Sequence, residues 1–388
     1  MSNKKHKLLF IGPTPPPYSG PELSMQQFLE SKSLNESFDI SFLKTNFRSN
    51  NKNKGKFGIG MILNFFKYFI KLVLLLIKKR PKLVYYPITP TQIGWLGRDV
   101  WTILISKLFK AKVVIHLRGS HFKLNFSQFH PITKKIIGFS LKQVNTAIVQ
   151  ANYLNDQFYP FIQKKQVKTL YQAMDINEFS NSSIEDVEAG KILVVGHMTK
   201  AKGFTDILKV IPEIVKQHPY VKFYFAGDMR RGERGVFFNQ VTGDKIVYED
   251  PYEAEEILLS KGFQNNYKNL GIIEGEEKLN HFMSSQLFLT ASYSEGFSRS
   301  LLEAMAVGKP LIFTPVGAHK EVLEDGKHGY SFIPGDLEGM RTALLNLLSN
   351  NKALIEIGKT NRSYVETSFS IKHIINQFKA ILDNTIKA

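Results

Sequence analysis

The chain of 388 residues contains no cysteine. That absence excludes a disulfide framework, a thiolate zinc site and a cysteine nucleophile, and it agrees with a reducing compartment. The stretch MSNKKHKLLFIGPTPPPYSG is not expected to act as an export signal, because its apolar run LLFI is too short for the hydrophobic core of one; it reads as a first buried strand followed by a proline and glycine loop. Acidic residues are scarce in one half only. Residues 1–186 hold 27 Lys and Arg against 10 Asp and Glu, whereas residues 187–388 hold 24 of each sign. The whole excess of +17 therefore sits in the first half. A nucleic acid, an anionic membrane surface or an acidic substrate would each suit that imbalance, as would a solvated lysine-rich surface. No nucleic-acid-binding module is visible in the sequence.

The most apolar stretch is FGIGMILNFFKYFIKLVLLLIKKR, residues 57–80. Asn64, Lys67 and Lys71 fall at i, i+3 and i+7 and form one narrow polar stripe on a helix. Two interior lysines argue against a transmembrane span. Two readings stay open: a helix that covers a sheet with lysines at its rim, and a helix lying in a membrane interface with Lys78, Lys79 and Arg80 at the head groups. The two are compatible if one face packs and the rim touches lipid.

Strand-like and helix-like patterns alternate along the chain. KLLFIG, KLVYYPI, AKVVIHL and NTAIVQ read as buried strands in the first half; KILVVG, VKFYFAG, NLGII, QLFLTAS and PLIFTP do so in the second. Helical patterns separate them, among them PELSMQQFLESK, DVWTILISKLFK, FTDILKVIPEIVKQ, EKLNHFMSS and SRSLLEAMAVG. This rhythm predicts an α/β protein with parallel, doubly wound sheets. Two halves each open on a strand and a glycine-containing turn, and the polar segment near 177–190 reads as the linker. The expectation is two Rossmann-like domains facing across a cleft, with ligand at the strand carboxyl ends. Residues 230–266 are long for a connection inside such a unit and read as an insertion, with KIVYE as a short strand and Arg230, Arg231 and Arg234 as a basic loop.

The fragment SEGFSRSLLEAM, residues 294–305, places Glu295 before a helix start and Glu303 on the helix. Ser298 is the expected N-cap. Amides at Gly296 and Phe297 would then open toward a phosphate, which the helix dipole favours. A carboxylate such as Glu303 can accept two hydroxyls of a diol. An isolated pair of glutamates at this spacing reads better as a cap and a solvated helix residue.

The pair is not isolated. SEGFSRSLLEAMAVGKPLIFTPVGAHKEVLEDGKHGYSFIPGD, residues 294–336, resembles the donor-binding block of retaining glycosyltransferases of family four, which have the GT-B architecture. The matching positions include Glu295, Gly296, Phe297, Leu302, Glu303, Ala304, Gly308, Pro310, Gly317, Glu321, Gly326 and Gly329. LVVGHMTKAKGFTDIL resembles the family's lysine–glycine segment, which puts Lys202 and Gly203 at the phosphate. NLGIIEGEEKLNHFMSSQLFLTAS resembles the base pocket, with Ile272 in it. PPPYSGPELSMQQF resembles the glycine loop facing the phosphates, here Ser19 and Gly20, and VVIHLRGSHF the strand that ends in a histidine beside the reacting sugar, here His116. Three departures stand out: His197 replaces the family's usual arginine, the N-terminal glycine pair is reduced to Ser19–Gly20, and Arg299 stands where a small or apolar residue is common.

The resemblance implies a retaining, metal-independent glycosyltransferase that moves a sugar from a nucleotide-sugar donor (UDP- or GDP-linked) to a glycan or lipid-linked acceptor. The expected setting is bacterial surface polysaccharide synthesis in the cytoplasm or on the inner membrane face. No cofactor and no metal are expected, and no D-x-D triplet occurs. It implies catalytic roles for Lys202, Glu295 and His116, and donor contacts from Ser19, Gly20, His197, Lys202, Ile272, Glu295, Gly296, Phe297, Ser298, Arg299, Ser300, Leu301 and Glu303. Arg118 and His121 are the acceptor candidates. The implied domains are 1–182 for the acceptor, 183–365 for the nucleotide sugar, and a C-terminal helix in 366–388 that returns to the first. The rival readings are a nucleotide-sugar epimerase or a phosphorylase of similar shape, and a basic membrane- or nucleic-acid-binding protein without catalysis.

Overall fold

The computed structural model describes residues 5–16, 20–45, 59–89, 91–179, 187–231 and 238–388. The chain divides into two compact units, residues 1–173 with 371–388 and residues 174–370. The expected domain boundary at 182/183 lies outside the described residues.

The first unit carries strands β1 (His6–Gly12), β2 (Phe38–Lys44), β3 (Leu83–Pro87), β4 (Lys112–His116), β5 (Thr146–Val149) and β6 (Val167–Thr169). They form one parallel sheet in the order β2-β1-β3-β4-β5-β6. Their apolar runs are continuous because both faces are covered, as in all-parallel sheets generally; every residue of β3 is buried. Over one face, Met25 and Phe28 of the helix Gly20–Glu30 meet Ile374 and Phe378 of the last helix, Ile371–Lys387. Phe28 and Phe378 stack with ring centroids 4.3 Å apart. The C-terminal helix thus completes the core of the first unit.

The second unit carries β7 (Lys191–Val195), β8 (Lys222–Ala226), β9 (Tyr267–Gly271), β10 (Leu287–Thr290), β11 (Leu311–Phe313) and β12 (Gly329–Ser331). The order is β12-β11-β10-β7-β8-β9, again all parallel. Renumbered from its own first strand, this is the 3-2-1-4-5-6 order in reverse direction, the doubly wound dinucleotide-binding topology. Phe204, Ile207 and Ile211 of the helix Phe204–Gln217 pack on Phe223 and Phe225 of β8 to make its core.

KIVYE does not form the expected strand. Lys245 makes only an isolated antiparallel bridge to Phe238, and the stretch is otherwise irregular, with Val247 exposed. An apolar alternation without a sheet edge to join has nothing to pair its backbone with.

Candidate active site

In the second sheet the connections leave β7 toward β8 on one side and return through β10 toward β11 on the other. The loops after β7 and β10 therefore diverge at the strand carboxyl ends, where such sheets open a ligand crevice. Gly196 and His197 follow β7; residues 291–297 follow β10.

Two glycines let the surrounding loops close in on the β10 loop. Gly203 has φ +72°, and a Cβ there would lie 2.3 Å from the carbonyl oxygen of Ala291. The amide of Tyr293 donates to Ala201 O at 2.9 Å. This contact carries Lys202 to Glu295: Nζ donates to Oε1 at 2.5 Å, and Ser292 Oγ donates to the same oxygen at 2.8 Å. On the other side Gly317, at φ +55°, approaches so closely that a Cβ would lie 2.1 Å from Glu295 O. The Ala318 amide donates to Gly296 O at 2.9 Å. Burial pushes the Glu295 carboxyl up, but Lys202, His319 and the hydrogen bonds from Lys202 and Ser292 outweigh it and hold it below the usual range. Glu295 is thus a carboxylate at neutral pH.

Lys200 and Lys202 are two residues apart and play different parts. Lys200 is buried, with Nζ 2.5 Å from Asp206 Oδ1 and 3.0 Å from Glu249 Oε1. Burial lowers its pKa, yet the pair with Asp206 more than offsets this and holds it above the ordinary lysine value. Tyr293 donates to the other Asp206 oxygen at 2.9 Å. Lys200 anchors the loop, and Lys202 is left at the crevice.

The helix Arg299–Ala306 begins at Ser298, whose Oγ accepts from the Leu301 amide. Ser300 Oγ donates to Val195 O at 3.2 Å and ties this helix start to the end of β7. One turn on, buried Glu303 is held by two cations: Arg299 Nε lies 3.2 Å from Oε1 and Lys278 Nζ 2.6 Å from Oε2. Arg299 Nη1 is buried and has no hydrogen-bond partner. Buried donors are nearly always paired, so this nitrogen is a vacant contact for an anion or a hydroxyl.

The remaining expected residues fall as follows. Phe297 packs its ring on Phe369, with centroids 5.3 Å apart, and Leu301 is fully buried, so both side chains are committed to packing. His197 is exposed. Ile272, exposed, follows β9, two strands from β7. Ser19 lies outside the described residues, and Gly20 opens the helix that follows β1. In the first unit His116 ends β4, with Nδ1 2.8 Å from Tyr85 Oη and Nε2 buried without a partner. Burial and then Arg118 push its pKa well below the histidine value, so the ring is neutral. Arg118 donates to Gln172 Oε1 at 3.3 Å and lies over the Phe28 ring. Buried His121 has Nδ1 2.8 Å from Ser120 Oγ.

Three residues at the site had no sequence signal of their own. Lys278 reaches Glu303 from the helix Gly275–Ser284. His319 is fully buried beside Glu295, Nδ1 3.2 Å from Thr314 O and Nε2 unpartnered. Gln240, from the insertion, donates its backbone N–H to Tyr293 O at 2.9 Å, and its side-chain Oε1 accepts from the Glu295 amide at 3.3 Å. Glu249 of the same segment bridges Lys200 and Lys209. The insertion therefore braces the loop that bears Glu295. Its residues 232–237, with Arg234, lie outside the described residues, and Arg231 pairs with Asp250. Among the described residues no group of three or more His, Asp or Glu side chains is placed to hold a metal ion.

Comparison with known proteins gives the site a context. Residues 175–364 match the family Glycosyl transferases group 1. N-acetyl-alpha-D-glucosaminyl L-malate synthase of Bacillus anthracis is 24% identical over 287 residues, covering 72% of this chain and 69% of that protein. An uncharacterized glycosyltransferase of Methanocaldococcus jannaschii is 23% identical over 327 residues, 78% of this chain and 76% of its own. Among solved structures, Anabaena HepE in complex with UDP has a TM-score of 0.70 at 16% identity, covering 97% of this chain and all of the other, 100%. Sucrose-phosphate synthase from Thermosynechococcus elongatus has a TM-score of 0.73 at 14% identity, over 98% and 99% of the two chains. These structural likenesses bear out the α/β, GT-B fold class expected from the sequence.

Proposed function

We propose, from the match of residues 175–364 to the family Glycosyl transferases group 1, that the protein transfers a sugar from a nucleotide-sugar donor to a glycan or lipid-linked acceptor, with retention of anomeric configuration and without a metal. The observation that carries this reading is the 2.5 Å contact between Lys202 and Glu295 at the carboxyl ends of β7 and β10. It puts a full positive charge and a carboxylate at the topological switch point, where a leaving diphosphate and a sugar would lie. HepE, one of the structural neighbours, is a complex with UDP and also with UDP-glucose, which supports a donor of that class.

Lys202 and the open Nη1 of Arg299 neutralise charge that grows on the diphosphate as the glycosidic C1–O bond breaks. Lys202 keeps two N–H donors beyond the one Glu295 accepts. The start of the helix Arg299–Ala306 adds its dipole. Glu303 accepts the ribose hydroxyls on lone pairs its two cations leave open, and Glu295 accepts hydroxyls of the sugar. The acceptor oxygen bonds to C1 on the face the phosphate leaves. Its proton passes to the departing phosphate oxygen, so an oxocarbenium-like transition state needs no protein nucleophile. His116, Arg118 and His121 are the proposed acceptor contacts, with Nε2 of neutral His116 open to a hydrogen bond whose direction follows the ring's tautomer. Synthesis of a bacterial surface polysaccharide is the setting proposed. The epimerase, phosphorylase and non-catalytic readings gain nothing from the comparisons.

A thermal-shift panel of UDP, GDP and their sugars tests the donor claim, because a ligand of the folded state raises stability by mass action. One nucleotide series should raise the melting temperature of the parent and not of Lys202→Ala. No shift with any of them overturns the reading.

A further inference from the structure

The crossovers of the first sheet place three helices in one layer. From β2 the chain passes through the helix Ile59–Lys79 to β3, then through Val100–Leu108 to β4 and Pro131–Leu141 to β5, always moving the same way across the sheet. Right-handed connections that advance in one direction leave their helices on one face. The middle helix packs against both of the others, and Tyr68 Oη lies 2.8 Å from Thr102 Oγ1 between two of them.

The inner side of the long helix is core: Tyr68, Leu72 and Leu76 are buried. Its outer side is also apolar. Phe66, Ile70, Leu74 and Ile77, at i, i+4, i+8 and i+11, are 52–65% exposed. A helix that is apolar on two opposite sides, with only a narrow polar stripe between them, is ordinarily covered on both. The same outward pattern continues on its neighbours, with Trp101 and Leu108 on one and Ile132 and Phe139 on the other. Exposed apolar surface of this extent marks an interaction site.

Charge identifies the occupant. Residues 40–155, which contain all three helices, hold 20 Lys and Arg and a single acidic residue, Asp99. Asp99 is fully buried and paired with Arg98 at 2.7 Å, so it puts no negative charge on the surface. Lys67, Lys71 and Lys78 are exposed along the border of the outer apolar row. A second copy of the chain would bring like charge against like. No helix among the described residues is long and apolar enough to cross a membrane. We propose that this helical layer docks side-on to an anionic lipid bilayer, with the Phe66–Ile77 row and Trp101 at the head-group and acyl boundary and the bordering lysines on lipid phosphates. This inference does not depend on the transferase reading.

The chain has two tryptophans, buried Trp95 and half-exposed Trp101, so fluorescence reports the face directly. Vesicles of phosphatidylcholine with about one-third phosphatidylglycerol should sediment the full chain, blue-shift Trp101 and let brominated lipid quench it, and added salt should weaken all three by screening over about 8 Å or less. Lys67→Gln with Lys71→Gln should lower the vesicle partition coefficient about 30-fold, at about 1 kcal/mol per lysine near the surface. Ile70→Gln with Leu74→Gln should lower it too while the parent's melting temperature is kept. Failure to sediment, equal binding to pure phosphatidylcholine, or sedimentation untouched by both double variants overturns the proposal. So does concentration-dependent self-association without vesicle binding, which would make a second copy the occupant, or binding only to an acidic protein.

Discussion

Glu303→Gln separates what the buried carboxylate does for the fold from what it does for a ligand. In the parent, each oxygen faces a cation, Arg299 at 3.2 Å and Lys278 at 2.6 Å. The amide keeps the shape and removes the charge, and it turns an NH2 group toward one of the two cations. Breaking a buried ion pair from one side costs about 3–5 kcal/mol. The lower end applies, because Lys278 is 26% exposed and can swing to water. A unit of this size should then melt about 6–12 °C lower, at roughly 2–4 °C per kcal/mol. If Glu303 also accepts the ribose hydroxyls, nucleotide affinity should fall about 10- to 150-fold, the equivalent of one charge-assisted hydrogen bond at roughly 1.5–3 kcal/mol. Titration calorimetry with the nucleotide, below the variant's unfolding range, reads the second effect apart from the first. Asp99→Asn is the control. It breaks a buried pair in the first unit, where Asp99 accepts from Arg98 and from both Thr89 donors, and it should destabilise without changing nucleotide affinity. A destabilised Glu303→Gln that binds nucleotide as the parent does would refute the ribose assignment.

Arg299→Ala should cost more donor affinity than His197→Ala, since the orphaned Nη1 sits inside the site while His197 is exposed; a pH-dependent affinity between about 6 and 8 that His197→Arg flattens would reverse that order. Gln240→Ala, which removes the side-chain bond to the Glu295 amide and keeps the backbone bond to Tyr293 O, should lower turnover by up to about tenfold, one hydrogen bond's worth, with KM for the donor little changed; unchanged turnover would confine that side chain to a structural part. Lys309 adds a pH signature. Burial and then Lys191 lower its pKa to about 8. The unfolded chain therefore binds more protons between that value and the ordinary 10.5, and stability should rise with pH across that window. Denaturant midpoints should show the rise in the parent and lose it in Lys309→Met; a rise that survives the substitution places its source elsewhere.

The central strands of both sheets were legible because a parallel strand covered on both faces reads as an unbroken apolar run, as VVIH and LFLT do. β6 and β12, three residues each at sheet edges, carry no such run and gave no signal. KIVYE carried a strand signal and formed none, for want of a neighbouring strand. At the site, Glu295, Ser298 and Glu303 lie on one short segment, so their spacing exposed them. Gln240, Lys278 and His319 reach it from other loops and helices, and only the packing of the whole unit brings them there. The long helix is the converse case: its composition allowed both a packed and an interfacial reading, and the structure gives it one packed face and one exposed apolar face.

The central claim is sugar transfer with retention at the Lys202–Glu295 centre. Its most direct measurement is proton NMR of α-configured nucleotide sugars incubated with the full chain, following the anomeric signal of the sugar as it leaves the nucleotide, to water or to an added acceptor. The donor identified by thermal shift should be consumed, the first product formed should be α, and Lys202→Ala and Glu295→Ala should abolish it while remaining folded. A β product appearing first, or consumption that survives both substitutions, would contradict it.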